Sequence, residues 1–112
     1  MWMTDPKIMC RQHLLGEHLE IHMFIGSLNK GVSLQGYVDA GFLDIHNLQT
    51  RHDELVAEMQ RRGFNHKSPL PAIENKIPEA YLDSIVNKEW SLNQLLGRCI
   101  ECRKNYEHDK EN

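Results

Sequence analysis

Long apolar runs are missing from this chain of 112 residues. None approaches the roughly 20 residues that a membrane-spanning helix requires, so we expect no membrane partner. The N-terminus also lacks the charged-then-apolar layout of a secretion signal, which predicts a cytoplasmic protein. Only three cysteines are present, an odd number that argues against a disulfide framework and for reduced thiols or metal ligands.

An excess of positive charge is also absent. Lysine and arginine number 13 against 16 acidic residues, giving a formal net charge of -3. A general affinity for nucleic acid is therefore not predicted, and any contact with DNA must come from a local basic patch. The length suits one domain with one modest hydrophobic core, and we expect a monomer.

Alternating strand patterns are absent too, and the apolar residues recur at helical spacing. We predict an all-α fold, a compact single-domain helical bundle with a long N-terminal helix and proline-containing loops. The bundle is expected to span residues 1–102, and the charged segment 103–112 is expected to be a frayed tail. The predicted helices cover residues 6–29, 44–62, 78–83 and 88–97, with a helical turn at 37–40.

Short polar residues and glycines mark the ends of these helices. Asp5-Pro6 is a strong opening for the first helix, and Gly31 suits a left-handed cap at its other end. Asp44 and Asn87 are expected to cap the starts of two later helices.

The segment richest in chemistry is the stretch 12–23, which carries five titratable side chains. At 3.6 residues per turn, His13, Glu17 and Glu20 fall on one flank of the first predicted helix, and apolar residues cover the adjoining faces. Acidic side chains, a histidine and core residues therefore lie on one predicted helix, so a functional site is expected here.

Three blocks of the sequence resemble one known family. They are Gln12-His13-Leu14 followed by Glu17 and Glu20; Arg51-His52-x-Glu54-Leu55-Val56-Ala57-Glu58-x-x-x-Arg62-Gly63-Phe64-Asn65-x-Lys67; and Ile77-Pro78. Their order is similar to that in the pyrimidine dimer DNA glycosylase family, the phage endonuclease V-like enzymes, over residues 2 to about 100. The resemblance implies a DNA repair enzyme, and the family includes phage-encoded members that work in the host cell.

The family's chemistry implies a glycosylase that is also an abasic-site lyase. Such an enzyme flips a nucleotide at a cyclobutane pyrimidine dimer out of double-stranded DNA, breaks the glycosidic bond and nicks the backbone. The nucleophile is the chain's own α-amino group, here that of Met1. Model α-amino groups have a lower pKa than lysine side chains, which suits them to attack as free amines. Glu20 matches the catalytic glutamate, His13 matches a histidine of the same site, and no cofactor is required.

The chain departs from the family pattern in several places. Trp2 is too bulky for ordinary removal of the initiator methionine, and the segment ahead of His13 is shorter, so whether the amine reaches Glu20 is an open question. Leu19 and Met23 replace arginines that would grip phosphate. Two alternatives follow: a glycosylase for a different modified base, or a non-catalytic DNA-binding or interaction module of the same fold.

Two short cysteine motifs have the spacing of zinc ligands. Cys10-x-x-His13 and Cys99-x-x-Cys102 would form a three-sulfur, one-nitrogen zinc site if the last helix packs beside the first. Zinc of this kind would be structural. The alternative is three reduced thiols that pack as small hydrophobes.

His18 and His22 stand four residues apart, a spacing that also suits a metal. No third ligand is evident on their face of the predicted helix. A solvated ridge of histidines is therefore expected.

Several basic and aromatic residues are candidates for contact with DNA. The candidate phosphate contacts are Arg11, Lys30, Arg61, Arg62 and Lys67. Phe24, Phe42 and Trp90 are expected to belong to the core. Trp2 either plugs the core or stacks on a flipped base.

Overall fold

A computed structural model describes residues 1–66 and 68–111, and every regular element within these ranges is helical. The α-helices are α1 (Arg11–Lys30), α2 (Gln35–Asp39), α3 (Leu48–Arg61), α4 (Lys88–Arg98) and α5 (Ile100–Glu111). Short 3₁₀ turns lie at Pro6–Ile8, Ile45–Asn47 and Glu79–Tyr81. The predicted all-α single domain is confirmed. No helix of the described residues is long and apolar enough to cross a bilayer.

The first predicted helix is divided in the structure. Asp5 caps a single 3₁₀ turn by accepting the backbone N–H of Lys7 at 3.0 Å. Met9 and Cys10 are extended, so α1 begins only at Arg11. The prediction that helix one starts at residue 6 is therefore wrong, whereas Gly31 ends α1 with φ 72° as expected.

The core forms where α3 packs against α1 and against the 3₁₀ turn Pro6–Ile8. Leu14, Ile21 and Phe24 of α1 are fully buried, and Leu55 is their counterpart on α3. Removing this apolar surface from water stabilises the fold by roughly 25 cal/mol per Å². The prediction that Phe24 is a core residue is confirmed.

The caps of the later helices follow the sequence only in part. Asn87 Oδ1 accepts the backbone N–H of Trp90 at 3.0 Å and starts α4 as predicted. Asp44 makes no such cap. Its buried carboxylate accepts hydrogen bonds from the Asn47 amide and the Val86 N–H, so it joins two segments of chain.

The C-terminal segment differs most from expectation. Residues beyond Arg103 continue α5 as far as Glu111. Cys102 is fully buried, Tyr106 packs against the core, and the Asn105 amide donates to the Ile8 carbonyl at 3.2 Å. The frayed tail was a wrong prediction because these three residues attach α5 to the N-terminal turn.

Candidate functional site

The N-terminal amine lies against the carboxylate predicted for it. Met1 N donates hydrogen bonds to Glu20 Oε1 and, at 2.8 Å, to the carbonyl oxygen of Phe42. The Met1 side chain is buried, and its sulfur accepts the Asp44 N–H at 3.3 Å. The shorter N-terminal segment therefore does bring the amine to Glu20, whose side chain is 30% exposed and accessible from solvent.

Three features of the N-terminal segment hold the amine in place. The Trp2 carbonyl accepts a hydrogen bond from Ser91 Oγ on α4, and the Thr4 carbonyl accepts one from Arg51 Nη1 at 2.7 Å. Met3 between them has φ 57°, a left-handed conformation that non-glycine residues seldom adopt. The chain therefore turns sharply at Met3, and the Met1 amine lies against Glu20 of α1.

A pocket of about 160 Å³ opens beside the amine. Its walls are Met1, Trp2, Glu20, Phe42, Trp90, Ser91, Gln94 and Arg98. The rings of Phe42 and Trp90 stack with centroids 6.2 Å apart and planes 24° from parallel. Both side chains are exposed, at 38% and 43%, so the prediction that they belong to the core is wrong.

Helix α4 supplies polar groups that the sequence analysis did not identify. Trp90, Gln94 and Arg98 are spaced four residues apart and form one stripe of α4. Arg98 Nη2 donates to Gln94 Oε1 at 3.1 Å, which orients the guanidinium at the pocket wall. The four-residue spacing was the available signal, but only the tertiary packing shows that this stripe meets Glu20.

The family of the chain follows from a comparison of its sequence with known families. A family model described as pyrimidine dimer DNA glycosylase matches residues 1–72. The chain belongs to that family. Comparisons with curated proteins and with solved structures give no match. Family membership makes this chain a DNA glycosylase by class, with DNA as its substrate.

The family match contains Met1 and Glu20 but not the α4 wall of the pocket. Trp90, Gln94 and Arg98 therefore belong to the part of this glycosylase that the family description does not cover. Leu19 is 67% exposed and Met23 37%. Arg98 thus brings to the pocket, from another helix, a cation that α1 lacks at positions 19 and 23.

His13 lies behind the pocket and is not one of its lining residues. Its ring meets the Trp2 indole edge to face, with centroids 5.6 Å apart. Its Nδ1 lies 3.1 Å from Cys10 Sγ and 3.7 Å from Cys102 Sγ. The structure thus groups His13 with the cysteines rather than with Glu20.

The three cysteines and His13 form the tetrad that their spacing predicted. Their four ligand atoms all lie within 4.8 Å of one another. Cys10 Sγ and Cys99 Sγ are 3.8 Å apart, and zinc with sulfur bonds of about 2.3 Å places two sulfurs about 3.8 Å apart. Backbone N–H groups of Cys10 and Cys102 donate to Cys102 Sγ and Cys99 Sγ, which orients those sulfurs.

None of the predicted phosphate contacts within the described residues lines the pocket. Arg62 binds the Glu58 carboxylate and donates to the backbone carbonyls of Pro6 and Met9, so much of its guanidinium is used within the fold. Arg61 also pairs with Glu58 but stays 60% exposed. Arg11 stacks over Phe64, Lys30 is exposed at the end of α1, and Lys67 lies outside the described residues.

The predicted ridge of solvated histidines is wrong. His18 is buried, and it meets His52 of α3 and His66 as well as His22. Burial first, and then the imidazoles around it, lower the pKa of His18 to about 4. The third and fourth histidines could not be predicted from the helix pattern, because they lie more than 29 residues from His22 along the chain.

Proposed function

We propose that this glycosylase removes cyclobutane pyrimidine dimers from double-stranded DNA and then cleaves the abasic strand, acting as a monomer. The observation that carries the proposal is the contact between the Met1 amine and Glu20 at the wall of an aromatic pocket. The family description supplies the substrate class.

The Met1 amine is the nucleophile of the proposed reaction. It attacks C1′ of the damaged nucleotide, and the glycosidic bond breaks as its electron pair passes to the departing base. The C1′–O4′ bond then opens, O4′ takes a proton, and an iminium links Met1 N to C1′. Hydrogen bonds to Glu20 and Phe42 aim the nitrogen before attack, which removes much of the orientational cost.

Glu20 has two successive roles in this mechanism. Its carboxylate stabilises the cationic iminium, and it then removes a proton from C2′, which the iminium has made acidic. The resulting electron pair expels the 3′ phosphate by β-elimination, and hydrolysis of the imine releases the enzyme. Neither step needs a metal or an organic cofactor.

The pocket receives the flipped nucleotide. Phe42 and Trp90 offer stacked aromatic surface for a base withdrawn from the helix. Arg98 supplies a charge-assisted donor for a phosphate or a base carbonyl. Arg61, Arg11 and Lys30 are proposed contacts with the DNA backbone outside the pocket, where their role is to position the duplex.

Borohydride trapping tests the proposed chemistry. Reduction of the imine should join wild-type protein covalently to duplexes that carry a cyclobutane dimer or an abasic site. Acetylation of the N-terminal amine should abolish the adduct on both duplexes. Glu20→Gln should form the imine yet lose strand cleavage by at least about 100-fold, the scale of one general base.

A matched control is Glu107→Gln, since Glu107 is exposed on α5. It should trap and cleave like the wild type. Absence of an adduct on either duplex, with the amine free by mass spectrometry, would exclude the imine mechanism. An adduct on the abasic duplex alone would retain the lyase and point to a different base as substrate.

We also propose that Cys10, His13, Cys99 and Cys102 hold a structural zinc ion. All four ligands come from protein, which leaves no open position for a substrate. The ion would join the start of α1 to the junction of α4 and α5, and so fix the α4 wall of the pocket. His13 then supports the site through its contact with Trp2.

Zinc content tests this second proposal. Cys99→Ser should lose one equivalent of zinc per chain and unfold at a lower temperature, whereas Ser27→Ala, a variant remote in sequence from these ligands, should keep it. Full retention of zinc in Cys99→Ser would show that the thiols are not ligands.

A further inference from the structure

Four histidines from three separate segments lie together on one side of α1. His18 and His22 come from α1, His52 from α3, and His66 from the segment that follows α3. His18 Nε2 lies 2.9 Å from His66 Nε2. The ring centroids of neighbouring pairs are 4.7 to 5.4 Å apart. These four residues form the histidine cluster.

The nitrogen atoms of the cluster converge on one point. One ring nitrogen from each histidine lies within 4.8 Å of all the others. Zinc–nitrogen bonds of about 2.0–2.1 Å place tetrahedral ligands about 3.3 Å apart. The four rings therefore reach a tetrahedral shell by small side-chain rotations.

Two ring nitrogens of the cluster are buried and have no hydrogen-bond partner among the described residues. They are His22 Nε2 and His52 Nε2. A buried polar atom left unpaired costs about 1–3 kcal/mol, so two of them at one point need a compensating ligand. An ion that accepts both lone pairs removes that cost.

The outer side of the His52 ring is already paired. His52 Nδ1 contacts Asp53 Oδ1 at 3.1 Å. With Nδ1 of His52 donating to a carboxylate, its Nε2 carries the lone pair and faces inward. Metal-ligating histidines show this arrangement, in which an outer acceptor fixes the tautomer.

We propose that His18, His22, His52 and His66 form a second metal site, which binds a divalent transition ion through four imidazole nitrogens. Imidazole ligands suit zinc, copper, nickel and iron, and zinc is the ion used in the test below. Four protein ligands fill a tetrahedral shell, so the site is structural. It fastens the chain after α3 to both α1 and α3.

This site is independent of the proposed lyase chemistry and of the cysteine tetrad. It shares no ligand with the tetrad and no residue with the lining of the pocket. Failure of the imine mechanism would leave the histidine site untouched, and failure of the histidine site would leave the imine mechanism untouched.

Titration of the metal-free full chain with Zn²⁺ and then with Co²⁺ tests the proposal. Wild type should bind two equivalents. One Co²⁺ equivalent should show thiolate-to-metal charge transfer, and the other should show only ligand-field absorption, because its ligands are all nitrogen. This measurement needs no variant, so it does not depend on the folding of a mutant.

Variants then assign the second equivalent. His66 lies outside the helices, so its replacement should leave them intact. His66→Gln and His52→Gln should each bind the second equivalent at least about tenfold more weakly than the wild type. His108→Gln, on the exposed side of α5, is the matched control and should bind both equivalents like the wild type. Circular dichroism checks that helical content is kept.

Two results would overturn the site. One is a wild-type chain that binds only the equivalent with thiolate charge transfer. The other is unchanged affinity for the second equivalent in both His52→Gln and His66→Gln. Either would identify the cluster as a set of imidazoles joined by hydrogen bonds alone.

Discussion

Arg51 and Glu17 form a two-pronged ion pair that water does not reach. Arg51 Nε donates to Glu17 Oε2 at 2.6 Å and Arg51 Nη2 to Glu17 Oε1 at 3.0 Å, while the two residues are only 1% and 2% exposed. The third guanidinium nitrogen, Nη1, donates to the Thr4 carbonyl and to Glu54. The Arg51 side chain thus connects α3 to α1 and to the N-terminal segment, which begins with the Met1 amine.

Replacing Arg51 with methionine should therefore destabilise the protein strongly. The substitution leaves the Glu17 carboxylate buried and unpaired, and breaking one side of a buried pair costs about 3–5 kcal/mol. Urea unfolding at neutral pH measures the loss. Arg103→Met, on the exposed face of α5, should change the unfolding free energy by less than about 0.5 kcal/mol.

The double variant Glu17→Leu with Arg51→Met separates stability from positioning. Removing both charges should restore most of the stability, because a well-packed apolar pair often replaces a buried ion pair without loss. Borohydride trapping should nevertheless remain weak, since the Thr4 carbonyl has lost the donor that holds the N-terminal segment. Full trapping by a stable double variant would show that Arg51 does not position the amine.

Trp90→Ala should weaken binding to DNA that contains a cyclobutane dimer. Loss of one base–aromatic stacking contact costs about 1–3 kcal/mol, which corresponds to about five- to 150-fold in Kd. Fluorescence anisotropy with damaged and undamaged duplexes measures the difference, and binding to undamaged DNA should change little. Trp90→Phe should keep most of the affinity because it keeps a ring.

A control for this prediction is Ile85→Ala, which removes another exposed apolar side chain that does not line the pocket. It should bind damaged DNA like the wild type. Equal weakening on damaged and undamaged duplexes in Trp90→Ala would contradict a role in holding the flipped base.

The fold and part of the site were predictable from the sequence because their signals are local or carried by the family motifs. Helical spacing, Gly31 and Asn87 located α1 and α4, and the motif around Glu20 pointed to the carboxylate that meets Met1. These features depend on neighbours within a few turns or on a shared pattern of residues.

The rest depends on which surfaces meet across the chain. Trp90 lines a pocket because α4 packs near Glu20. The spacing of apolar residues within α4 does not predict which other helix α4 packs against. The partners of His18 come from α3 and from beyond its end, so a search along one helix face finds only His22. Asp44 stands at the position expected of a helix cap, but its buried carboxylate accepts the Val86 N–H instead.

Arg98→Ala should reduce the salt dependence of binding to damaged DNA. If Arg98 contacts a phosphate, the slope of log Kd against log salt should fall by about 1, and affinity should drop by roughly tenfold at low salt. Arg98→Lys should keep the slope, because the charge is retained. Arg103→Ala, which removes an exposed arginine of α5, is the control for net charge alone.

An unchanged slope in Arg98→Ala would contradict the phosphate contact. Reduced affinity with that unchanged slope would instead indicate a hydrogen bond to the base. The two readings are separated by the same titration.

Glu58→Gln should lower stability in a manner that depends on pH. Glu58 is 5% exposed and accepts hydrogen bonds from Arg61 Nε at 2.7 Å and Arg62 Nε at 2.6 Å. The bonds from Arg61, and next those from Arg62, hold the pKa of the Glu58 carboxyl below its ordinary value of 4.5, although burial acts in the opposite direction. At neutral pH the substitution should cost about 1–3 kcal/mol.

The sign of the pH effect follows from this depressed pKa. A carboxyl whose pKa is lower in the folded state stabilises the fold fully above its unfolded pKa, and that stabilisation disappears as the pH falls through the folded value. The difference in unfolding free energy between wild type and Glu58→Gln should therefore be constant near neutrality and shrink below pH 4.5. Glu107→Gln should have nearly the same unfolding free energy as the wild type, both near neutrality and below pH 4.5. A gap that stays constant into strong acid would mean that the Glu58 side chain contributes through its shape and not through its charge.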